Sequence, residues 1–572
     1  MRAGSGPAGW AASLGALALY LAFSLLVFSS AWADPGGRWI GEAKDPRLFI
    51  WYLGYLPGHV ARLPPPLLTF HLNAPQGVNL MWNTSVIAPA LLLWPVTASF
   101  GPVVGYNALV TAGLAASAWA GFQAAGLFIR RLALRLLAGA LYGFSPALLA
   151  QATRHAHVVV EVLPPLALLL GYEAALRQRR SPLLIGAFSG LLALLQLLTS
   201  EEMLALTGVA ALLGAALALL FRPSQVRSRL AHLGLVCAAA VAVFAVLAAY
   251  PLAVQFFGPQ RAAGQLQPPD VYVNDLLAFV VPDLPPISFT GNPSEDNAYL
   301  GLPLLVVFAI ACWAGRRDPL IRWGGWLAVL LALLSLGPHL HIGGYTTAIP
   351  LPWLLFQHLP LFESADADRL MLIGFLPVGL VVLRWVDLRW LAWTGRRQLL
   401  AAVALALALG VVFPGIPFVS TRAEAPAFFR AGGAVGRLPA GAVLLVTPFA
   451  SKESSDAMYW QAVAGYRFRM PEGDAFTPGP TLGPKPSFLR STLEALDAGA
   501  SLAPSPGDRS RLLAELRELG VTAVVAGPSP GQVQIVDYLA SVLERPPEAL
   551  QGVDVWWDCC AATATKSSVA TG

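Results

Sequence analysis

Apolar runs of roughly 17 to 25 residues, each long enough to cross a bilayer as a helix, recur through the first 418 positions of this 572-residue chain. Short arginine clusters separate them: Arg130-Arg131-Arg135, Arg177-Arg179-Arg180, Arg222-Arg227-Arg229, Arg316-Arg317-Arg322 and Arg384-Arg389-Arg396-Arg397. With 56% hydrophobic and only 12% charged residues, the chain carries about half the charge of a soluble protein. These features predict an α-helical polytopic membrane protein.

The arginine clusters also orient the chain. The pI of about 9.1 reflects scattered clusters, not one basic patch, so it speaks of cytoplasmic loops and gives no support to nucleic-acid binding. The first span runs from about Ala11 to Ser30. If the apolar stretch Val86–Phe100 also crossed, every later cluster would face outward, at several kcal/mol for each misplaced arginine. That stretch is short and contains Pro89 and Pro95, so it is read as lying in or on the outer leaflet. The other spans fall near 103–129, 132–151, 158–176, 182–199, 203–221, 230–257, 299–315, 323–342, 370–388 and 398–418. That gives about eleven crossings and an outer C-terminal region.

Ala31-Trp32-Ala33 resembles a signal-peptidase site, but the preceding apolar run is longer than the usual h-region of roughly 7 to 15 residues, which favours a retained first span. Abundant Ala, Leu, Arg and Gly with little Lys point to a bacterium. Cys237 and Cys312 lie in apolar spans, and the adjacent Cys559-Cys560 pair is poor disulfide geometry, so no disulfide framework is expected.

After Val419 the pattern changes. Val443 to Val446 and Val521 to Ala526 read as strands. Between them Asp508 reads as an N-cap, followed by Leu512, Leu516 and Leu519 and closed by Gly520. Strands mixed with amphipathic helices predict an α/β domain over 419–560, with a small polar tail, 561–572, read as disordered. Residues 1–418 form the transmembrane module.

Four polar constellations fall on the outer face. Asp45 precedes Pro46 and a run presenting Leu48, Trp51, Tyr52, Tyr55 and Leu56 at helical spacing, read as an interfacial helix with an aromatic face. Asp45 serves equally as helix cap, with Pro46 at the first helical position, or as a catalytic carboxylate; Glu42 is close enough in sequence to serve in either role. Arg154-His155-Ala156-His157 with Glu161 is the second. Glu161, about one turn inside a span, calls for a wet cavity or a cationic partner, and histidines at i, i+2 share no helical face, so no metal is expected. Ser200-Glu201-Glu202 is the third, a helix start with acids at the positive dipole end. The fourth, Glu363 to Arg369, ends in an arginine suited to a lipid phosphate or to a salt bridge with Asp366 or Asp368.

No Walker loop, dinucleotide fingerprint, Gly-x-Ser-x-Gly elbow or His-Glu-x-x-His occurs, so no cofactor is expected and internal ATP use is disfavoured.

The arrangement resembles the GT-C superfamily of integral membrane glycosyltransferases, in the bacterial branch that uses polyprenyl-phosphate sugars. The resemblance rests on one span followed by a long outer loop with an early acid (Asp45), in-plane helices, a hairpin with a second polar cluster (Arg154 to Glu161) and an outer C-terminal domain. Lys44-Asp45-Pro46, Ala74-Pro75-Gln76-Gly77-Val78-Asn79-Leu80, Tyr299-Leu300-Gly301, Ser335-Leu336-Gly337-Pro338 and Trp460 to Phe468 also look like segments of uncharacterised relatives. Where relatives show an Arg-x-Pro-x-Arg-like run, this chain has Ala365-Asp366-Ala367-Asp368-Arg369 and matches only the last arginine. No Asp-Asp pair follows the first span.

The resemblance implies transfer of a hexosyl or pentosyl group from a polyprenyl-phosphate donor to an extracytoplasmic glycan, lipid or protein. It implies inversion, with Asp45 as base and Glu161 orienting acceptor or base. The donor phosphate falls to Arg369, Arg154 or His155, with His157, Glu201 and Glu202 as accessory groups. It also implies a multi-pass protein of the bacterial inner membrane with an extracytoplasmic C-terminal domain. A transporter or flippase of lipid-linked sugars would use the same charged residues, but the chain shows no internal repeat of the kind transporters carry. An inactive scaffold contacting envelope proteins is a third reading.

Overall fold

The computed structural model describes residues 7–60, 67–262, 268, 270–282, 297–359, 362–411, 415–450, 454–478 and 486–559; the tail expected over 561–572 lies outside them. The chain forms two compact units. The first comprises Met1–Glu42, Val86–Tyr250 and Gln265–Arg422, the second Ala43–Ser85, Pro251–Gly264 and Ala423–Gly572.

Among the described residues five helices are long and apolar enough to cross a membrane: Gly9–Val27, Pro102–Ala125, Glu201–Phe221, Leu230–Phe257 and Ala367–Ala392. Shorter apolar helices occupy Leu132–Gly143, Pro182–Leu197, Gly301–Gly315 and Pro319–Ser335. The protein is a multi-pass membrane protein. Burial sorts its helices: the apolar window of Ala367–Ala392 is 89% buried and therefore central, whereas that of Leu230–Phe257 is only 6% buried and therefore peripheral.

Small residues let the central helices of the first unit close on one another, as is common where lipid offers no hydrophobic drive to association. A Cβ on Gly143 would stand 2.3 Å from the Ala118 nitrogen, and one on Gly139 would stand 2.5 Å from the Ala118 carbonyl.

Three expected spans are shorter than the apolar pattern suggested, each for a local reason. The 132–151 segment breaks into Leu132–Gly143 and Pro146–Gln151, because Pro146 starts a new helix and Ser145 Oγ accepts from the Leu148 amide at 3.3 Å. Helix over 158–176 begins only at Leu163, where Pro164 and Pro165 fill the amide-poor first turn. Helix over 323–342 runs Pro319–Ser335 and gives way, after Gly337-Pro338, to a hairpin of His339–Ile342 and Tyr345–Pro350. Its turn is Gly343-Gly344, at φ +60° and +84°. The Val86–Phe100 stretch is two short helices, Ile87–Leu92 and Trp94–Phe100.

In the second unit a four-stranded sheet takes the order Val443–Thr447, Val521–Ala526, Val553–Trp556, Glu548–Leu550. The first pair is parallel and the other two antiparallel. Leu489, Leu493 and Leu496 of the Phe488–Asp497 helix, Leu512 and Leu516 of Pro506–Glu518, and Ile535 and Leu539 of Gln532–Leu543 share its buried core. The cap of the middle helix is Ser505, not Asp508. Ser505 Oγ accepts from the Asp508 amide and the Asp508 carboxylate accepts from the Ser505 amide, a capping box in which Asp508 sits at the third helical position.

The helix after Asp45, Pro46–Val60, also departs from expectation. Trp51, Tyr52, Tyr55 and Leu56 are buried in the second unit and do not form a membrane-interface face. Trp51 Nε1 donates to Gln461 Oε1 at 2.6 Å, Tyr466 donates to the Trp51 carbonyl at 2.8 Å, and Arg47 pairs with Asp456 at 2.8 Å. A helix with one aromatic face can be satisfied by lipid or by protein, and here the Asp456–Val463 helix and the turn after it supply the cover.

Candidate functional site

In the first unit a backbone junction carries Glu42 to Arg154. The Arg38–Ile40 strand pairs antiparallel with Ser420–Arg422, and Asn107 fixes it by accepting from the Ile40 amide and donating to the Arg38 carbonyl. Gly41 follows at φ +97°, where a Cβ would meet the Thr153 carbonyl at 2.3 Å; only glycine permits that approach. The Glu42 amide then donates to the Thr153 carbonyl at 2.9 Å. The neighbouring Arg154 reaches Glu42 with two bonds, Nε to Oε2 at 3.0 Å and Nη2 to Oε1 at 3.1 Å. This is the bidentate fork that guanidinium geometry favours.

From Arg154 the polar groups continue as a relay. His155 Nδ1 donates to Gln151 Oε1 at 2.7 Å, Gln151 Nε2 donates to Asn297 Oδ1 at 3.0 Å, and Asn297 Nδ2 donates to Asp368 Oδ2 at 3.0 Å. Asn274 donates to the Asp368 carbonyl at 3.2 Å. Gln151, Asn297 and Asp368 are all buried, so their polar groups depend on these bonds to one another. The His155 and His157 rings stand 5.8 Å apart.

Arg369 follows Asp368 at the start of the Leu370–Arg389 helix. It is buried and pairs with Glu202 and with Asp366, the latter at 3.1 Å. Glu202 also accepts from the Asp366 amide at 2.7 Å. Asp368 is thus held by Asn297, and the salt bridge forms to Asp366. Glu201 and Glu202 open the Glu201–Phe221 helix behind Ser200, whose Oγ accepts from the Met203 amide. Beside Asp366 a space of about 10 Å³, bounded in part by Tyr272, Trp353 and Glu363, has room for roughly one water molecule.

Glu161 lies in the non-helical segment ahead of Leu163, where Ser117 Oγ accepts from its amide at 2.8 Å and Tyr142 donates to its carbonyl at 2.9 Å. It is wholly buried, and neither carboxyl oxygen has a hydrogen-bond partner among the described residues. Of the two environments expected for it, a wet cavity or a cationic partner, the cationic partner is not found among those residues.

Unit one thus brings together Glu42, Arg154 and His155, and brings together Glu202, Asp366 and Arg369, with the Gln151–Asn297–Asp368 relay running from His155 to the residue beside Arg369; Glu161 stands apart on Ser117 and Tyr142. Sequence reasoning missed Gln151 and Asn297. Their only signals were the i, i+4 spacing of Gln151 to His155 and the position of Asn297 just ahead of Tyr299-Leu300-Gly301. Among the described residues no group of three or more His, Cys, Asp or Glu has the geometry to hold a metal ion.

Asp45 belongs to the second unit. It is half-buried, and its carbonyl accepts from the Leu48 and Phe49 amides as Pro46 opens the helix. The same unit stacks Trp51 on Tyr55 at 4.6 Å and Tyr55 on His59 at 3.9 Å. His71 is 5.5 Å from His59, ring centre to ring centre. Burial, reinforced by His59, pulls the His71 imidazole down to about 4. Glu472 is fully buried with Oε1 accepting from the Val446 amide at 3.1 Å, and burial pushes its carboxyl up to about 8.

The cryo-EM structure of arabinofuranosyltransferase AftD from Mycobacteria matches this chain at TM-score 0.59 and 16% identity, covering 98% of this chain and 40% of that one. A mutant form of the same enzyme matches at 0.51 and 16% identity, over 92% and 37%. The apo oligosaccharyltransferase of Archaeoglobus fulgidus matches at 0.47 and 11%, over 93% and 71%. The chain spans about two fifths of the length of the arabinofuranosyltransferase. No curated protein matches it by sequence. The likeness in fold establishes a GT-C-like architecture. Residues 16–412, more than half the chain, match the family described as Domain of unknown function (DUF6311), and the protein belongs to that family.

Proposed function

We propose that the protein is a membrane glycosyltransferase that moves a sugar from a polyprenyl-phosphate donor to an acceptor hydroxyl on the extracytoplasmic face. The observation that carries this reading is the polar assembly of unit one inside a GT-C-like fold: buried Arg369 with its carboxylates, a buried Glu161 carboxyl with no hydrogen-bond partner among the described residues, and the half-buried Arg154 and His155. Buried charge in a membrane unit is costly and marks a working site.

In the proposed reaction the acceptor oxygen attacks the anomeric carbon and the bond from that carbon to the phosphate oxygen breaks. The electron pair leaves with polyprenyl phosphate, and the acceptor proton passes to Asp45. Attack opposite the leaving group inverts the anomeric centre. Arg369, Arg154 and His155 stabilise the charge that grows on the phosphate. For Arg369 this means exchanging one of its carboxylates for phosphate. Glu161 orients the acceptor or the base. A location in the bacterial inner membrane, with residues after 418 outside, completes the proposal.

The test combines two measurements. Mass spectrometry of envelope glycans and glycolipids from cells with and without the gene should reveal a missing sugar. The purified chain in vesicles should release polyprenyl phosphate as it glycosylates that acceptor. Movement of the intact sugar lipid across the bilayer with no transfer would replace the enzyme by a flippase.

A further inference from the structure

The helices Gly301–Gly315, Leu370–Arg389 and Gly395–Val411 enclose a recess of about 420 Å³, a size within the range of ligand sites. Ile310, Leu400 and Ala404 supply apolar walls, and Trp385, Trp393 and Arg397 also line it. Trp385 lies sixteen residues along from Arg369, which places the recess roughly 24 Å away from that guanidinium at a rise of about 1.5 Å per residue. It is a separate site from the one described above.

Two polar features distinguish it from a packing defect. Nearby arginines are neutralised within the chain: Arg131 pairs with Asp387 at 2.6 Å and Arg384 with Asp318 at 3.1 Å. Arg397 is exposed and has no acidic partner among the described residues. The Trp385 Nε1 proton is buried and has no acceptor there. Around them Ile310, Leu399, Leu400, Val403 and Leu407 are exposed, a surface that only hydrocarbon covers favourably in a membrane-spanning unit.

We propose that the recess binds one anionic phospholipid from the leaflet on the Arg384–Arg397 side, with an acyl chain in the slot and its phosphate at Arg397. The apolar walls select a chain, the free guanidinium selects an anionic head over a zwitterionic one, and the indole N–H is available to an oxygen of the glycerol-ester region.

The experiment uses the full-length protein in phosphatidylcholine vesicles containing a trace of photoreactive phosphatidylglycerol or photoreactive phosphatidylcholine, the diazirine placed in mid-chain. The expected result is phosphatidylglycerol labelling on Gly301–Gly315 and Gly395–Val411, with much weaker labelling by the phosphatidylcholine probe. Arg397→Gln should cut the phosphatidylglycerol signal about fivefold, the weight of one cation at a membrane surface, whereas Arg397→Lys keeps most of it. Ala404→Trp, which fills the slot from a second direction, should abolish labelling at these helices. Because Arg397 is exposed, its variants leave the fold intact. Equal labelling by the two probes, wild-type labelling in Arg397→Gln, or displacement by free glycerol phosphate alone would each overturn the proposal.

Discussion

Arg154 holds Glu42 through two nearly equal hydrogen bonds, at 3.0 and 3.1 Å, and so ties the strand after the first helix to the hairpin that carries His155. The Glu42 side chain is 40% exposed, and a pair that open to solvent contributes roughly 0–1 kcal/mol. Arg154→Lys should therefore leave the melting temperature within about 2 °C, yet reduce turnover about tenfold by replacing a planar fork with a point charge. A fall in melting temperature with unchanged turnover would show the pair to be purely structural.

Arg369 presents the opposite case. Its guanidinium is buried between Glu202 and Asp366, and removing one member of such a set typically costs about 3–5 kcal/mol through the charges left behind. Arg369→Ala is expected to express poorly for that reason alone. Arg369→Lys keeps the charge, so it should fold and raise the donor KM, read by transfer assays at varied polyprenyl-phosphate sugar. Unchanged donor kinetics in a destabilised Lys variant would remove Arg369 from the phosphate site.

Asp45→Asn separates capping from catalysis. Asparagine caps a helix about as well as aspartate, so a structural role predicts near-normal expression and activity. Asparagine accepts no proton, so the proposed role predicts normal folding with turnover down roughly 100-fold or more. Transfer at the wild-type rate would end the assignment.

Glu472 makes a prediction about pH. Folded, it keeps its proton up to about 8, whereas an unfolded glutamate releases it near 4.3 or so. Between those values the folded chain binds the extra proton, so its stability falls as pH rises through the window and levels off above it. Glu472→Gln mimics the protonated form, and at pH 8 it should melt at least about 2 °C above wild type. Melting curves at pH 5 and pH 8 should converge for the variant. A wild-type slope in the variant would place the pH dependence elsewhere.

Local pattern carried much of this molecule. Apolar length located the helices, and charge in outer-face loops and at the ends of spans singled out Glu42, Arg154, Glu161, Glu202 and Arg369, because a membrane chain has few places where charge is tolerated. Partner choice was not legible. That Arg369 takes Glu202, more than 160 residues away, and that Asn297 joins Gln151 to Asp368, depend on how helices meet, which no local spacing encodes. The aromatic face of Pro46–Val60 was misassigned for a related reason: hydrocarbon and protein core impose the same pattern on a helix. The Asp508 cap was displaced by a rule visible only on reading three residues back, to Ser505.

The second unit is assembled from segments at distant points of the chain, and this bears on how the protein is made. About 400 residues separate Val60 from Gln461, so a ribosome adding roughly 5–20 residues per second needs roughly 20 to 80 s to deliver the partners of the Pro46–Val60 helix. Throughout that interval Trp51, Tyr55 and their neighbours lack the cover supplied by Gln461 and Tyr466. Until the Asp456–Val463 helix and the turn after it are made, the aromatic face of Pro46–Val60 lacks the cover it has in the folded unit, so this unit closes only when the last segment of the chain is complete.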